Sequence, residues 1–159
     1  MHYSSGENVD AMTNRANQLS IINEFASSLI KIVELDELYD YVTHQVVKRL
    51  GFDECSIFIA DLENQTLNQV SSIYKDDQTE SEQITLDINE GICGHVFDTG
   101  CAEIISDVTQ DPRYLEVSGN VHSEICVPLV YDGQVLGVID CEHPEKDYYT
   151  KDHLNILTT

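Results

Sequence analysis

Glu124-Ile125-Cys126-Val127-Pro128-Leu129-Val130-Tyr131-Asp132-Gly133-Gln134-Val135-Leu136-Gly137-Val138-Ile139-Asp140 is the stretch that decides the fold. Two apolar runs flank Asp132-Gly133, a dipeptide suited to the tight turn that joins antiparallel strands, so the spacing predicts a β-hairpin. With an idealised two-residue turn, both strands carry apolar side chains on both faces. The hairpin therefore belongs in the middle of a sheet that is covered on each side. The same ideal pairing sets Cys126 and Cys141 on one face but not directly opposite, so a disulfide between them would need a bulge or a shifted register.

Upstream of the hairpin, Ser106 to His122 is a long connection containing Asp111-Pro112-Arg113-Tyr114, and connections of that length usually carry function. Before it, Ala102 to Ile105 reads as a short strand. Glu90-Gly91-Ile92-Cys93-Gly94-His95-Val96-Phe97-Asp98-Thr99-Gly100 reads as a short helix bracketed by glycines. Ile84 to Ile88 alternates like an edge strand after an acidic loop from Lys75 to Gln83. Cys55 to Ala60 is a nearly continuous apolar run, as in a central strand, and forms a hairpin with a strand around Leu67-Tyr74.

Two helices are expected at the amino-terminal end. The first starts near Asp10 after a flexible leader, residues 1–9. It carries Met12, Leu19, Ile22, Ala26, Leu29 and Val33 at about a 3.5-residue spacing interrupted at Arg15, and Ile21, Phe25 and Ile32 form a second apolar edge. The pattern fits either one wide core-facing stripe or one edge on the domain and the other on a partner subunit. The second has Asp36 as N-cap, Leu38, Val42, Val46 and Leu50 at helical spacing, and Gly51 past its end. After the hairpin, Thr150 caps a last helix with Leu154, Ile156 and Leu157. No stop signal closes it, so the natural chain is expected to continue into an output domain.

Composition narrows the partners. The chain has 159 residues, one domain's worth, with 29 acidic against 8 basic residues and a formal net charge of -21. Past Gly51 only Lys75, Arg113, Lys146 and Lys151 are basic, so nucleic acid and direct membrane contact are excluded as expected partners. No apolar run is long enough to span a bilayer. The amino terminus lacks the basic flank and apolar segment of a secretion signal, which leaves the cytoplasm as the expected location. Five cysteines without a CxxC pair fit reduced, mostly buried thiols better than a disulfide framework or a zinc ribbon.

The element order resembles the GAF domain, the small-molecule sensor module of signalling proteins. The most specific stretches are Gly91 to Gly100, Ser123-Glu124-Ile125-Cys126-Val127-Pro128-Leu129, and Gly137-Val138-Ile139-Asp140-Cys141-Glu142-His143-Pro144 before Tyr149-Thr150. The resemblance implies an α/β (α+β), GAF-like or PAS-like fold over residues 10–159. Its central antiparallel sheet carries the first, second and last helices on one face, with a pocket closed by a short helix and a loop on the other. It implies a dimeric, ligand-sensing input domain, acting on an unidentified small molecule with no cofactor assigned, that signals through a helical bundle to an output such as a histidine kinase or cyclase. On this reading the chain is not an enzyme.

Two alternatives stand beside it: a reductase of free methionine-R-sulfoxide and a ligand-free dimerisation module. The chain is similar to the reductase branch at Cys93, within its Gly-x-Cys-Gly pattern, and at Glu124, Asp140 and Glu142, the acidic positions that hold the substrate's amino group there. It departs at Val117, the register of that branch's attacking cysteine, and thiol attack requires a thiolate.

The candidate ligand-binding residues are Ile92, Cys93, Val96, Phe97, Tyr114, Val117, Glu124, Cys126 and Asp140, with no catalytic or metal-ligating residue assigned. His95, His122 and His143 have no ligand-pair spacing with Cys93 or Cys126 that would mark a metal or haem site. Glu124 and Asp140 are expected to flank the pocket with little basic charge nearby, which suits an amine-bearing ligand. Glu142 is expected to point to solvent.

Overall fold

The structure is a computed structural model that describes residues 5–74, 83–116 and 120–158; of residues 5–18, 21, 22, 25, 29, 30, 32, 33 and 47 it describes the backbone alone. The chain divides into two compact units, Met1–Leu38 and Tyr39–Thr159. A single helix, α1 (Ser5–Leu50), stands where two were expected. Asp36 has the chemistry of a cap, but the run Val33-Glu34-Leu35-Asp36-Glu37-Leu38 holds neither glycine nor proline, so nothing stops the helix. Of the expected leader, residues 1–4 lie outside the described residues and Ser5 to Val9 are helical.

After α1 come β1 (Glu54–Asp61), β2 (Thr66–Tyr74), β3 (Thr85–Asp87), α2 (Gly91–Thr99), β4 (Glu103–Ile105), a single 3₁₀ turn (Val108–Gln110), β5 (Ser123–Tyr131), β6 (Gln134–His143) and α3 (Lys151–Thr158). The six strands form one antiparallel sheet in the order β3-β2-β1-β6-β5-β4. The α/β fold with a central antiparallel sheet is thus as expected.

Each sheet face carries its own core. On one face Cys55, Ile57, Ile125, Val127, Ile139 and Cys141 pack with Phe52 and Tyr149, beneath Val42, Val46 and Leu50 of α1 and Leu154 and Leu157 of α3. The end of α1 is pinned to β2 by Thr43, whose hydroxyl lies 3.0 Å from Ser71 Oγ, and Ser71 in turn donates to Asp40 at 2.6 Å. Thr150 caps α3, accepting from His153 N–H at 3.5 Å while its own N–H donates to His153 Nδ1 at 3.2 Å. On the other face Phe58, Leu67, Cys126 and Val138 pack against Ile92, Cys93 and Val96 of α2.

The β5–β6 hairpin departs from ideal pairing in a way that fixes the site. Its turn is as expected, with Asp132 at φ 49° and Gly133 at φ 74°. Then Val130 pairs with Val135 but Leu129 pairs with Gly137, so Leu136 is an extra residue in β6. Side chains alternate along a strand, so one inserted residue moves everything beyond it to the opposite face. Cys126 now faces Asp140, Glu124 faces Glu142, and Cys141 faces Ile125 on the other side of the sheet. Cys126 and Cys141 therefore do not share a face, contrary to the ideal register. Gly137 marks the close approach that follows: a Cβ there would lie 2.0 Å from Phe58 O in β1.

Candidate functional site

Alternate residues Glu54, Ser56 and Phe58 of β1 lie on the pocket face of the sheet, next to Asp140 and Glu142 of β6 and Glu124 of β5. From β2, Gln69 Nε2 donates to Ser56 Oγ at 3.0 Å, and Gln69 Oε1 accepts the Ile84 N–H at 3.1 Å, closing that side. Gly91, Ile92 and Cys93 at the start of α2 form the roof. The Ile88-Asn89 turn that leads into the helix folds tightly against it because Gly94 has no side chain: a Cβ there would lie 2.6 Å from the Asn89 carbonyl carbon. Tyr114 and Leu115 complete the wall. The cavity these residues enclose is about 50 Å³, room for an ion or one to two waters at about 30 Å³ each.

Of the expected ligand-binding residues, the structure brings Ile92, Cys93, Tyr114, Glu124 and Asp140 to the cavity wall. Cys126 lies just behind them, its thiol 4.0 Å from that of Cys93. Val96 and Phe97 pack into the core behind the wall. Val117 lies outside the described residues. Glu142, expected in solvent, is buried and lines the cavity, because the Leu136 bulge turns it inward. Glu54, Ser56, Phe58, Gln69, Ile84, Leu86 and Leu115 were not foreseen, although the period-2 alternation of β1 would have singled out Glu54, Ser56 and Phe58 together.

No lysine, arginine or histidine is among the described residues that line the cavity. Arg113, next to Tyr114 in sequence, is spent outside it: the guanidinium donates to Glu103 at 3.0 and 2.7 Å and to Asp111 at 3.0 and 2.8 Å. His95 pairs with Glu103 at 3.1 Å, and His143 stacks on Tyr148 with ring centroids 3.4 Å apart. None of His95, His122 and His143 reaches the cavity.

Four carboxyls thus share a partly enclosed space without a counter-charge, and burial followed by mutual repulsion favours their neutral forms. Burial, then the charge of Asp140, pushes Glu54 up to about 7. Burial, then Asp140 and Glu54, pushes Glu142 up to about 9. Glu124 is driven well up by burial and by Asp140, and Asp140 is raised by its own burial. Burial raises the Cys126 thiol well above its ordinary value. The Cys93 thiol also rises: the contact with Cys126 lowers it, but burial and the charges of Asp140 and Glu142 outweigh that. Asp140 Oδ1 and the Tyr114 hydroxyl are shut off from solvent without a hydrogen-bond partner. Such an arrangement attracts a cation.

The GAF-domain family model matches residues 33–159, four-fifths of the chain. The chain belongs to the GAF family. Among curated proteins it is 29% identical over 75 residues to Protein YtsP of Bacillus subtilis (47% of this chain, 46% of that protein). It is 35% identical over 71 residues to the free methionine-R-sulfoxide reductase of Saccharomyces cerevisiae (44% and 38%). Each match thus spans less than half the length of the curated relative. Among solved structures, the GAF domain of an Acinetobacter phosphoenolpyruvate-protein phosphotransferase has a TM-score of 0.69 at 22% identity, covering 85% of this chain and 86% of that one. The Neisseria meningitidis free methionine-R-sulfoxide reductase in complex with its substrate has a TM-score of 0.67 at 20% identity, covering 76% and 70%.

These likenesses overturn the expectation of a non-enzyme. Free methionine-R-sulfoxide reductases are enzymes, and they stand among both the curated relatives and the structures that share this GAF fold. Membership of the family supports a small-molecule-binding domain. Among the described residues no helix is long and apolar enough to cross a membrane.

Proposed function

We propose that this GAF domain binds a small amine-bearing molecule of amino-acid type, whose ammonium group is held by Glu142, Glu54, Asp140 and Glu124. The observation that carries the reading is the set of four cavity carboxyls with no basic residue beside them. An ammonium group offers three donors and the missing charge, and it would draw the displaced protons out of the site. A whole amino acid needs more than the present cavity of about 50 Å³, since pockets for such ligands run to about 300 Å³ or more. Tyr114 and Leu115 must therefore swing outward to admit it, a motion that gives binding a mechanical consequence.

In this reading the domain is the cytoplasmic input of a longer signalling protein, dimeric through α1 and continuing past α3 into an output such as a histidine kinase or cyclase. Leu19 is 62% and Leu35 46% exposed, apolar surface on α1 that a second copy would cover.

A second reading is favoured by the stretch 35% identical to a reductase and by the adjacency of Cys93 and Cys126: conversion of free methionine-R-sulfoxide to methionine and water, with two thiols oxidised to a disulfide. One experiment separates the two. Free methionine-R-sulfoxide is titrated calorimetrically into the reduced chain, and methionine formation is followed with added dithiol. Saturable binding, weakened at least about tenfold in Asp140→Asn, without turnover supports sensing. Turnover lost in Cys93→Ser supports the reductase. Absence of binding by this and other free amino acids overturns the amine-site reading.

A further inference from the structure

At the wall of the carboxyl-lined cavity four potential ligand atoms converge: the thiols of Cys93 and Cys126 and one carboxylate oxygen each from Glu124 and Asp140. All four lie within 4.8 Å of one another, and the two sulfurs are 4.0 Å apart. The geometry points to a mononuclear site for a thiophilic divalent cation of the zinc class, with Cys93, Cys126, Glu124 and Asp140 as a two-sulfur, two-oxygen tetrahedron.

Zinc binds thiolate at about 2.3 Å and carboxylate at about 2.0 to 2.2 Å. The edges of such a tetrahedron are then about 3.3 to 3.8 Å. The ligand atoms, within 4.8 Å of one another, must close by at most about 1.5 Å to reach those edges, within reach of side-chain rotations. The ligands come from three elements, α2, β5 and β6, so they are fixed by tertiary structure and not by a sequence motif. Cys126 and Asp140 are directly paired across the hairpin, and Glu124 stands one alternation along the same face.

An independent observation points the same way: Asp140 Oδ1 is shut off from solvent and has no hydrogen-bond partner among the described residues, a costly state for a carboxylate oxygen that a cation would relieve. The adjoining cavity of about 50 Å³ gives an ion a way in and leaves room for one water, but not for a larger cofactor. A second buried cysteine pair, Cys55 and Cys141, serves as a natural control. It sits in the apolar core of the opposite sheet face, and among the described residues no other cluster of three or more such ligands occurs.

Binding forms two metal–sulfur bonds as the Cys93 and Cys126 thiol protons pass to solvent, together with any proton held between Glu124 and Asp140. No oxidant or reductant is involved, and affinity rises with pH. The site does not rest on the amine-binding reading. It shares Glu124 and Asp140 with it, so an ion there competes with an ammonium group.

The test uses the whole reduced chain, metal-free and without any amino acid, titrated with Cd²⁺ and with Co²⁺. One equivalent of Cd²⁺ per chain is expected, with thiolate-to-metal charge-transfer absorption, and Co²⁺ should give the intense visible bands of a tetrahedral centre. Cys93→Ser and Cys126→Ser should each weaken binding on the order of 100-fold or more; Cys55→Ser and Cys101→Ser should leave it unchanged. If the serine variants do not fold, the wild-type Co²⁺ spectrum decides: tetrahedral with sulfur ligation supports the site, octahedral overturns it. Binding that survives in Cys93→Ser and Cys126→Ser, binding lost in Cys101→Ser, or no binding by the reduced protein would each overturn it. Absence of metal binding leaves the amine titration free to succeed or fail by itself.

Discussion

The two faces of the sheet are built from the same strands yet obey different physics. One face buries Cys55, Ile57, Ile125, Val127, Ile139 and Cys141 under helices, with Phe52 set edge-on to Tyr149 at 5.1 Å. It is an ordinary core. The other interrupts its apolar cluster with Glu54, Glu124, Asp140 and Glu142 and closes over them with a short helix and a loop. Stability is concentrated on the first face. The second carries an electrostatic strain that protonation relieves and that a bound positive charge relieves with the carboxyls ionised. The same residue type makes the contrast plain: Cys55 and Cys141 pack among aliphatics, while Cys93 and Cys126 sit against carboxyls.

The largest effect should come from breaking the apolar face. Phe52 is fully buried and contacts Tyr148, Tyr149 and His153 edge-on or nearly so, so Phe52→Ala should cost about 3 to 5 kcal/mol in urea unfolding. That loss should be nearly the same at pH 5 and pH 9, because no ionisation is involved. A loss under about 1 kcal/mol would show that α1 and α3 do not depend on this core.

Removing a charge from the pocket face should have the opposite sign. Glu142 holds its proton up to about 9 in the fold, against about 4.3 in an unfolded chain. Below the lower value both states are protonated and the residue costs nothing. As pH rises between the two, the unfolded chain releases a proton that the folded chain keeps, so stability falls. Glu142→Gln should therefore match the wild type near pH 4.5 and exceed it by several kcal/mol, at most about 6, at pH 9. Thermal unfolding across that range measures this, and a variant less stable than wild type at pH 9 would refute the unpaired-charge description.

Much of this contrast was legible in the sequence. Asp132-Gly133 located the hairpin, the glycines at 91, 94 and 100 located the short helix, and alternation along the strands gave the sheet. Glu124 and Asp140, expected to flank the pocket at the central hairpin, line the cavity. The break expected at Asp36 failed because capping chemistry is only a preference, and continuous helix formers on both sides outweigh it. The bulge at Leu136 was not legible: it goes with the close approach of Gly137 to Phe58 O in a neighbouring strand, a contact between residues far apart in sequence. That single inserted residue decides which face Asp140, Cys141 and Glu142 occupy, so the ideal register put the wrong cysteines on one face, while Glu142 was expected in solvent for its place at a strand end.

The most direct test is the ionisation of Glu142 itself, followed by carbon-13 NMR of the side-chain carboxyls in the ligand-free, metal-free protein. A midpoint near 9 is expected, together with a fall towards the ordinary range when an amine-bearing ligand or Cd²⁺ is added. A midpoint near the ordinary 4.3 in the ligand-free protein would mean that Glu142 meets water or a counter-charge, and it would contradict the claim that the bulged hairpin gathers unpaired carboxyls around a site for positive charge.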